Sequence, residues 1–249
     1  MTASKTRLER VGGVCVLTLA DPAKRNAIGH ELAAELVGRA GVLEHDPDIR
    51  ALVVTGEGSA FCAGADLPEI FGDDRPTSEM RTALRAYYEC FLRIRGLPFP
   101  TIAAVNGPAI GAGLNLALAC DLRLASRGAR FGATFTRIGL HPGGGCSFFL
   151  VEALGRQRAL RLLLEGGVLD GEAAVRAGLV TSLEDDVVAA AVALAQTVAS
   201  LEPELARDVV HAVAIAARDG FDATLDFESW AQASSAHNPR FRAFVASFE

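Results

Sequence analysis

The sequence predicts an α/β fold with a helical C-terminal region, and three observations carry that reading. Strand-like apolar runs alternate with segments of helical spacing, the pattern of a layered α/β core. One run, Ile49 to Thr55, is almost wholly apolar, as in a strand buried on both faces of a sheet. From Glu202 onward only amphipathic helical spacing remains, so residues 1–200 read as the core and 201–249 as a helical appendage.

Each element follows in order. Val14 to Ala20 (VCVLTLA) is a β-rich run that ends at the turn Asp21-Pro22. Glu31 to Glu44 has helical spacing, with Leu32, Leu36 and Leu43 on one side. After the buried strand, the polar segment Phe71 to Ser78 (FGDDRPTS) reads as a loop. Arg81 to Arg95 reads as an amphipathic helix carrying Leu84, Tyr88, Phe91 and Leu92. A short strand from Thr101 to Val105, a helix from Gly111 to Cys120 and a strand from Asp121 to Ser126 follow. Pro142 and three glycines introduce a helix to Leu154, stopped by Gly155. Asp186 to Leu201 is an alanine-rich helix, and the last, Pro239 to Phe248, carries Phe241, Phe244, Val245 and Phe248 as its apolar set. A tail this apolar needs a surface to cover, its own core or a neighbouring subunit.

A chain of 249 residues, half of them hydrophobic, suits one α/β domain with a large core. The formal charge of -6 argues against general affinity for nucleic acid or anionic membranes. Five cysteines (Cys15, Cys62, Cys90, Cys120, Cys146) are an odd number without a CxxC, which fits a reducing, cytoplasmic setting. The N-terminus lacks the apolar stretch of a secretory signal, and no segment reaches the ~18 apolar residues of a membrane helix. No His, Cys or carboxylate spacing suggests a metal site. No GxGxxG follows the first strand, which argues against a dinucleotide-binding dehydrogenase.

Chemistry concentrates at two glycine turns. In LVVTGEGSAFCAGADL (Leu52 to Leu67) a strand runs into the small-residue turn Ala63-Gly64-Ala65-Asp66. In NGPAIGAGLNL (Asn106 to Leu116) a glycine turn opens a helix. Small residues let a ligand approach the backbone, and two N–H donors converging on one oxygen stabilise an enolate or a tetrahedral oxyanion.

These segments resemble the crotonase superfamily, also called enoyl-CoA hydratase/isomerase. LADPAKRNAI (Leu19 to Ile28) is similar to its N-terminal signature, AFCAGADL (Ala60 to Leu67) to its first oxyanion segment, and AVNGPAIGAGLNLALACDLRLAS (Ala104 to Ser126) to its second. FGATFTRIGLHPGGG (Phe131 to Gly145) and LDGEAAVRAGLV (Leu169 to Val180) continue the likeness. The resemblance implies a spiral of ββα units with a C-terminal helical trimerisation region, assembled as a homotrimer or a dimer of trimers. It implies an acyl-CoA thioester as partner and no permanently bound cofactor.

By the same resemblance the oxyanion donors are the N–H groups of Ala65 and Ala112, the latter helped by its helix dipole. Contacts to the CoA moiety fall to the Arg25-Asn26-Ala27 region and to Ala63, Ala65, Asp66, Leu67 and Pro68. Lys24 and Arg25 are candidate phosphate partners, or a solvated pair. The segment 71–80 is expected to line the acyl tunnel.

The two glutamates that family hydratases use are replaced, the first by Asn115 and the second by Phe135. General acid–base catalysis contributes about 100- to 10,000-fold, so this chain departs from the usual hydration mechanism. Two groups stand as replacements. His141 is a candidate base, with a structural loop histidine as the alternative. Glu69 is the other, with a solvated carboxylate on a helix flank as the alternative. Asp66 reads rather as a turn or capping residue, since aspartate bonds nearby backbone N–H groups. Gly143 stands where family dehalogenases carry a nucleophilic aspartate, which argues against dehalogenation. Two functions remain open: an enzyme of enolate chemistry, lyase or isomerase, and a non-catalytic acyl-CoA-binding protein.

Overall fold

A computed structural model describes residues 4–248. Its chain divides between Val198 and Ala199 into two compact units. The first unit is built on a six-stranded sheet of order β1-β2-β3-β4-β6-β9, where β1 is Thr6–Val11, β2 Val14–Leu19, β3 Ala51–Gly56, β4 Thr101–Val105, β6 Leu122–Ser126 and β9 Ser182–Glu184. Only β1 runs antiparallel to its neighbour; all other pairs in this sheet are parallel. A second sheet of three short strands, β5 (Pro108–Ile110), β7 (Arg130–Gly132) and β8 (Val168–Asp170), pairs in that order.

Parallel pairing explains the sequence of the central strands. Every residue of β2, β3 and β4 is buried, because the crossovers cover both faces. Helices α1 (His30–Glu44) and α3 (Thr77–Arg95) pack on each other in one such layer. Leu32, Leu36 and Leu43 of α1 face inward, as do Tyr87, Cys90, Phe91 and Ile94 of α3 at the spacing of a single helical face. Between them lies the short α2 (Leu67–Phe71). Helix α4 (Ala112–Ala119) is buried at every position, and all of its residues but Asn115 are apolar or glycine. The remaining helices of this unit are α5 (Cys146–Leu154), α6 (Arg156–Glu165), α7 (Gly171–Ala177) and α8 (Val187–Ala199).

Asp121 and Arg123 do structural work at the end of α4. Asp121 Oδ2 accepts from the Thr101 N–H and hydroxyl, both at 2.8 Å, and the Arg123 guanidinium donates to Leu179 O at 2.8 Å and Cys120 O at 2.6 Å. Helix α3 starts at Thr77, straight after Pro76, rather than at Arg81. The loop expected over Phe71 to Ser78 shrinks accordingly to residues 72–76.

The second unit consists of α9 (Pro203–Arg218), α10 (Phe221–Ser235) and α11 (Pro239–Ala246). Its apolar side chains Val213, Phe221, Trp230 and Phe244 are exposed. Among the described residues no single helix is long and apolar enough to cross a membrane.

Candidate active site

Two backbone segments are sewn together at the C-terminal ends of β3 and β4. Cys62 bridges Ala109 as an isolated parallel pair, through Cys62 N–H to Pro108 O (3.0 Å) and Ile110 N–H to Cys62 O (3.0 Å). A second bridge joins Ala65 to Ile28, through Ile28 N–H to Gly64 O (2.7 Å) and Asp66 N–H to Ile28 O (3.0 Å). In that pattern residues 64 and 66 carry the bonds, so the N–H of Ala65 between them turns away from Ile28 and donates to nothing among the described residues.

Ala112 arrives at the same place by a different route. It is the first residue of α4, where an N–H has no intrahelical partner. Among the described residues its N–H is also unbonded. Gly111, just before it, has φ 54° and ψ -116°, a conformation that favours glycine. The two segments touch: a Cβ on Gly64 would lie 2.9 Å from Ile110 O and 3.9 Å from Ala112 N. At the first turn of α4, a Cβ on Gly113 would lie 2.2 Å from Cys62 O. Glycine at these points is a condition of close approach.

These donors open onto a cavity of about 140 Å³. Its wall contains Ala63, Ala65, Leu67, Ala112, Asn115, Phe135 and His141, so seven of the residues singled out in the sequence come together. The ring of Phe135 lies 3.8 Å from where a Gly111 Cβ would sit and shapes the wall beside the turn. His141 Nδ1 is 2.8 Å from Pro142 O. A carbonyl oxygen only accepts, so Nδ1 carries the hydrogen and Nε2 keeps its lone pair in the neutral ring. Asn115 is buried, and its Nδ2 donates to Gly143 O at 2.9 Å.

Other expectations are corrected. Glu69 does not line the cavity. Its carboxylate accepts from Lys24 Nζ at 3.0 Å and from the His30 N–H at the start of α1, also at 3.0 Å. Lys24 first, and then that N–H, hold it below the usual carboxylate range, which makes it a poor proton acceptor. Asp66 likewise faces away from the cavity: it caps α2 through the Glu69 N–H and pairs with Lys24 at 2.7 Å. Lys24 is thereby committed to two carboxylates rather than left for phosphate. Of the 71–80 segment only Phe71 reaches the cavity.

Arg25, Ala27 and Pro68 also lie outside the cavity wall. The exposed Arg25 guanidinium has no ion pair among the described residues, and its backbone O accepts from the Ala63 N–H at 3.0 Å. Asn26, by contrast, is a fully buried clamp. Its Nδ2 donates to the carbonyls of Glu57, Ala60 and Phe61, and its Oδ1 accepts from the Asp21 N–H. Cys62 is buried and its thiol is pushed up to about 12 by that burial, which suits packing rather than nucleophilic chemistry.

Sequence reasoning missed the tyrosines of α3 as site residues. Leu84, Tyr87, Tyr88 and Phe91 form the wall opposite the glycine turns. Tyr87 donates from its hydroxyl to Ile28 O at 3.2 Å, whereas the Tyr88 hydroxyl lies against Gly143, where a Cβ would fall 2.6 Å from it. The available signal was chemical: a tyrosine on an inward helix face brings a polar tip that needs a partner.

The fold is a crotonase-type α/β spiral, and two unbonded backbone N–H groups lie at its cavity. Comparison with known proteins agrees: residues 9–248 match the family model described as enoyl-CoA hydratase/isomerase, and the chain belongs to that family. It is 42% identical over 243 residues to the probable enoyl-CoA hydratase EchA14 of Mycobacterium tuberculosis, covering 94% of this chain and 93% of that one. It is 34% identical over 249 residues to the 1,2-epoxyphenylacetyl-CoA isomerase of Escherichia coli, covering 95% and 92%. Among solved structures, a putative enoyl-CoA hydratase from Streptomyces coelicolor superposes with a TM-score of 0.90 at 33% identity, covering 98% of this chain and 90% of that one.

Proposed function

We propose that the protein processes acyl-CoA thioesters, with the N–H groups of Ala65 and Ala112 gripping the thioester carbonyl oxygen. The observation that carries this is the pair of unbonded N–H groups on two segments locked side by side. As the carbon next to the carbonyl loses a proton, negative charge builds on that oxygen, and prearranged donors stabilise it more than they stabilise the ground state. His141 Nε2 takes that proton. The same imidazolium returns it to another carbon, so the net reaction shifts a double bond without consuming water. One proton carrier suffices for such an isomerisation, whereas the family's hydration uses two carboxylates that Asn115 and Phe135 replace here.

The exposed guanidinium of Arg25 binds a phosphate of the CoA moiety, next to Ala27 and the backbone from Ala63 to Pro68. CoA arrives with the substrate, and no resident cofactor is needed. The exposed apolar side chains of α9 to α11 support a role for residues 201–249 in joining copies into a trimer or a dimer of trimers. Five free, buried cysteines support a reducing, cytoplasmic location.

A second reading has one observation in its favour: no carboxylate lines the cavity, so the protein binds acyl-CoA without turning it over. One experiment separates the two. The protein is titrated calorimetrically with crotonyl-CoA and with a 3-enoyl-CoA, and double-bond migration is followed by thioester absorbance. Migration that His141→Ala abolishes while binding persists supports the isomerase. Binding without turnover of any enoyl-CoA supports the binder, and failure to bind any CoA ester rejects both.

A further inference from the structure

The N–H of Ala65 shares one peptide unit with the carbonyl of Gly64. A trans peptide is planar and points these two groups in opposite directions. The Ile28 N–H that binds Gly64 O at 2.7 Å therefore also aims the Ala65 N–H. Gly64, at φ 113°, and the small side chain of Ala65 resist rotation of that unit only weakly. Its direction depends on what holds the residues around it.

Main-chain bonds join segments 25–28 and 63–66 into a narrow ribbon: Ala63 N–H to Arg25 O, Ile28 N–H to Gly64 O and Asp66 N–H to Ile28 O. One side of this ribbon is strained. Arg25 and Asn26, at φ 51° and 56°, are the non-glycine residues with positive φ among the described residues. Such a conformation persists where its surroundings over-determine it. Asn26 is fixed by the bonds of its amide to the main chain at Asp21, Glu57, Ala60 and Phe61. The exposed Arg25 side chain, by contrast, has no ion pair among the described residues to hold it.

Lys24 secures the other flank of Arg25. Its Nζ lies 2.7 Å from Asp66 Oδ2, on a side chain that is only 13% exposed. The pair crosses the ribbon, from the residue before Arg25 to the residue after Ala65. Lys24, ahead of every other neighbour, holds the Asp66 carboxyl below its usual range. Asp66 needs this tether, because the helix that it caps, α2, has five residues and is too short to stand by itself. Lys24 also reaches Glu69 at 3.0 Å, but Glu69 stands a helical turn further from Ala65. None of Lys24, Arg25 and Asp66 lines the cavity, so what they do for a ligand they do through the main chain.

We propose that Lys24 is a positioning residue: its pair with Asp66 holds the ribbon closed over the strained Arg25 and so keeps the Ala65 N–H aimed at the thioester oxygen. This rests on the acyl-CoA reading above and adds to it a side chain that acts on the donor from outside the cavity.

The test reads carbonyl polarisation and binding separately. Bound crotonyl-CoA absorbs at longer wavelength as donors pull on its carbonyl, and calorimetry with crotonyl-CoA and with CoA alone gives the affinities. Lys24→Met should lose about half of the red shift, and about fivefold in kcat where there is turnover, the most that an exposed charge pair supplies. Affinity for CoA alone should stay within about twofold of wild type, since no phosphate contact is removed. Lys24→Arg keeps a cation opposite Asp66 and should restore most of the red shift. Asp66→Asn keeps the cap of α2 but drops the charge pair, and it should match Lys24→Met. The double variant should lose no more than either single one, because both remove the same contact. A full red shift in Lys24→Met and Asp66→Asn overturns the inference, even where the urea midpoint falls, since the pair then serves stability alone. Losses that add in the double variant overturn it as well. So does weaker binding of CoA alone by Lys24→Met with the red shift intact, which assigns Lys24 a phosphate. Failure of the wild type to bind any CoA ester, or to shift the spectrum of bound crotonyl-CoA, overturns the acyl-CoA reading itself, which keeps the two failures distinct.

Discussion

The same substitution, glycine to alanine inside a helix, should have opposite consequences at two places in this chain. At Gly38, on the exposed side of α1, an added Cβ meets nothing within 4 Å. Gly38→Ala there gains helix propensity and removes unfolded-state freedom, together worth about 1 kcal/mol of added stability. At Gly113, in the first turn of α4, the same methyl lands 2.2 Å from Cys62 O, 2.7 Å from Cys62 Cβ and 2.8 Å from Cys62 C. Ordinary contact begins near 3.4 Å, so α4 and the Cys62 segment must separate by about 1.2 Å. Overpacking of this kind costs about 1–3 kcal/mol, which exceeds the propensity gain. The same separation moves the Ala112 N–H relative to that of Ala65, and a displacement of about 1 Å at a reacting centre costs roughly 100-fold in rate. Urea unfolding and calorimetric titration with an acyl-CoA check both halves. Gly113→Ala should lower the urea midpoint and weaken acyl-CoA binding and turnover, while Gly38→Ala raises the midpoint and leaves binding alone. Wild-type stability and binding in Gly113→Ala would refute the close packing on which the paired donors depend.

Four further outcomes follow from the same geometry. Asn26→Ala removes a buried side chain that satisfies four backbone groups at once and should cost about 3 kcal/mol in urea unfolding, because those groups lose partners they cannot replace. The carboxyls of Asp66 and Glu69 lie below their ordinary values, chiefly because of Lys24, so their stabilisation is present above about pH 4.3 and is lost as pH falls through the lowered native values. Lys24→Met should therefore remove part of that stabilisation near neutral pH and flatten the acid side of the stability curve, read by circular dichroism during acid titration. Glu69→Gln should change turnover by less than about threefold, a kinetic check that the carboxylate lies outside the cavity. All five cysteines are free and buried, with Cys62 pushed up to about 12, so thiol reagents should label them only at the rate of local or global opening.

What could be read from the sequence divides along physical lines. Fully apolar strands such as Ala51–Gly56 announce themselves, since burial on both faces leaves no polar position to mislead. The glycine turns were legible for a related reason: Gly64, Gly111 and Gly113 sit where a Cβ would hit backbone or where φ is positive, and few residues other than glycine fit such places. Side-chain direction was harder. Glu69 follows the Ala65 turn closely, yet the loop points its carboxylate at Lys24 and the start of α1, a choice made by partners more than 30 positions away in sequence. Tyr88 was visible as part of an amphipathic helix, but its opposition to Gly143 arises only when α3 packs across the cavity. Chain spacing carries no trace of either contact.

The division between backbone and side-chain chemistry also explains why the two unbonded N–H groups do not depend on which side chains line the cavity. The Ala65 N–H is left free by a bridge pattern, and the Ala112 N–H by being first in a helix; neither depends on the side chain present. The bonds that hold them run through Cys62, Ile28, Pro108 and Ile110 main chain, none of them through the side chains of Asn115 or Phe135. Asn115 and Phe135, in contrast, border the cavity with their side chains. Phe135 supplies a wall, and Asn115 gives one end of its amide to Gly143 while its other end has no partner among the described residues. The two unbonded N–H groups thus belong to the architecture, whereas the polar character of the cavity wall belongs to a few replaceable side chains. A cavity-wall mutation that spares Gly64, Gly111 and Gly113 should retain carbonyl polarisation, readable as a red shift of a bound enoyl thioester, even where turnover is lost.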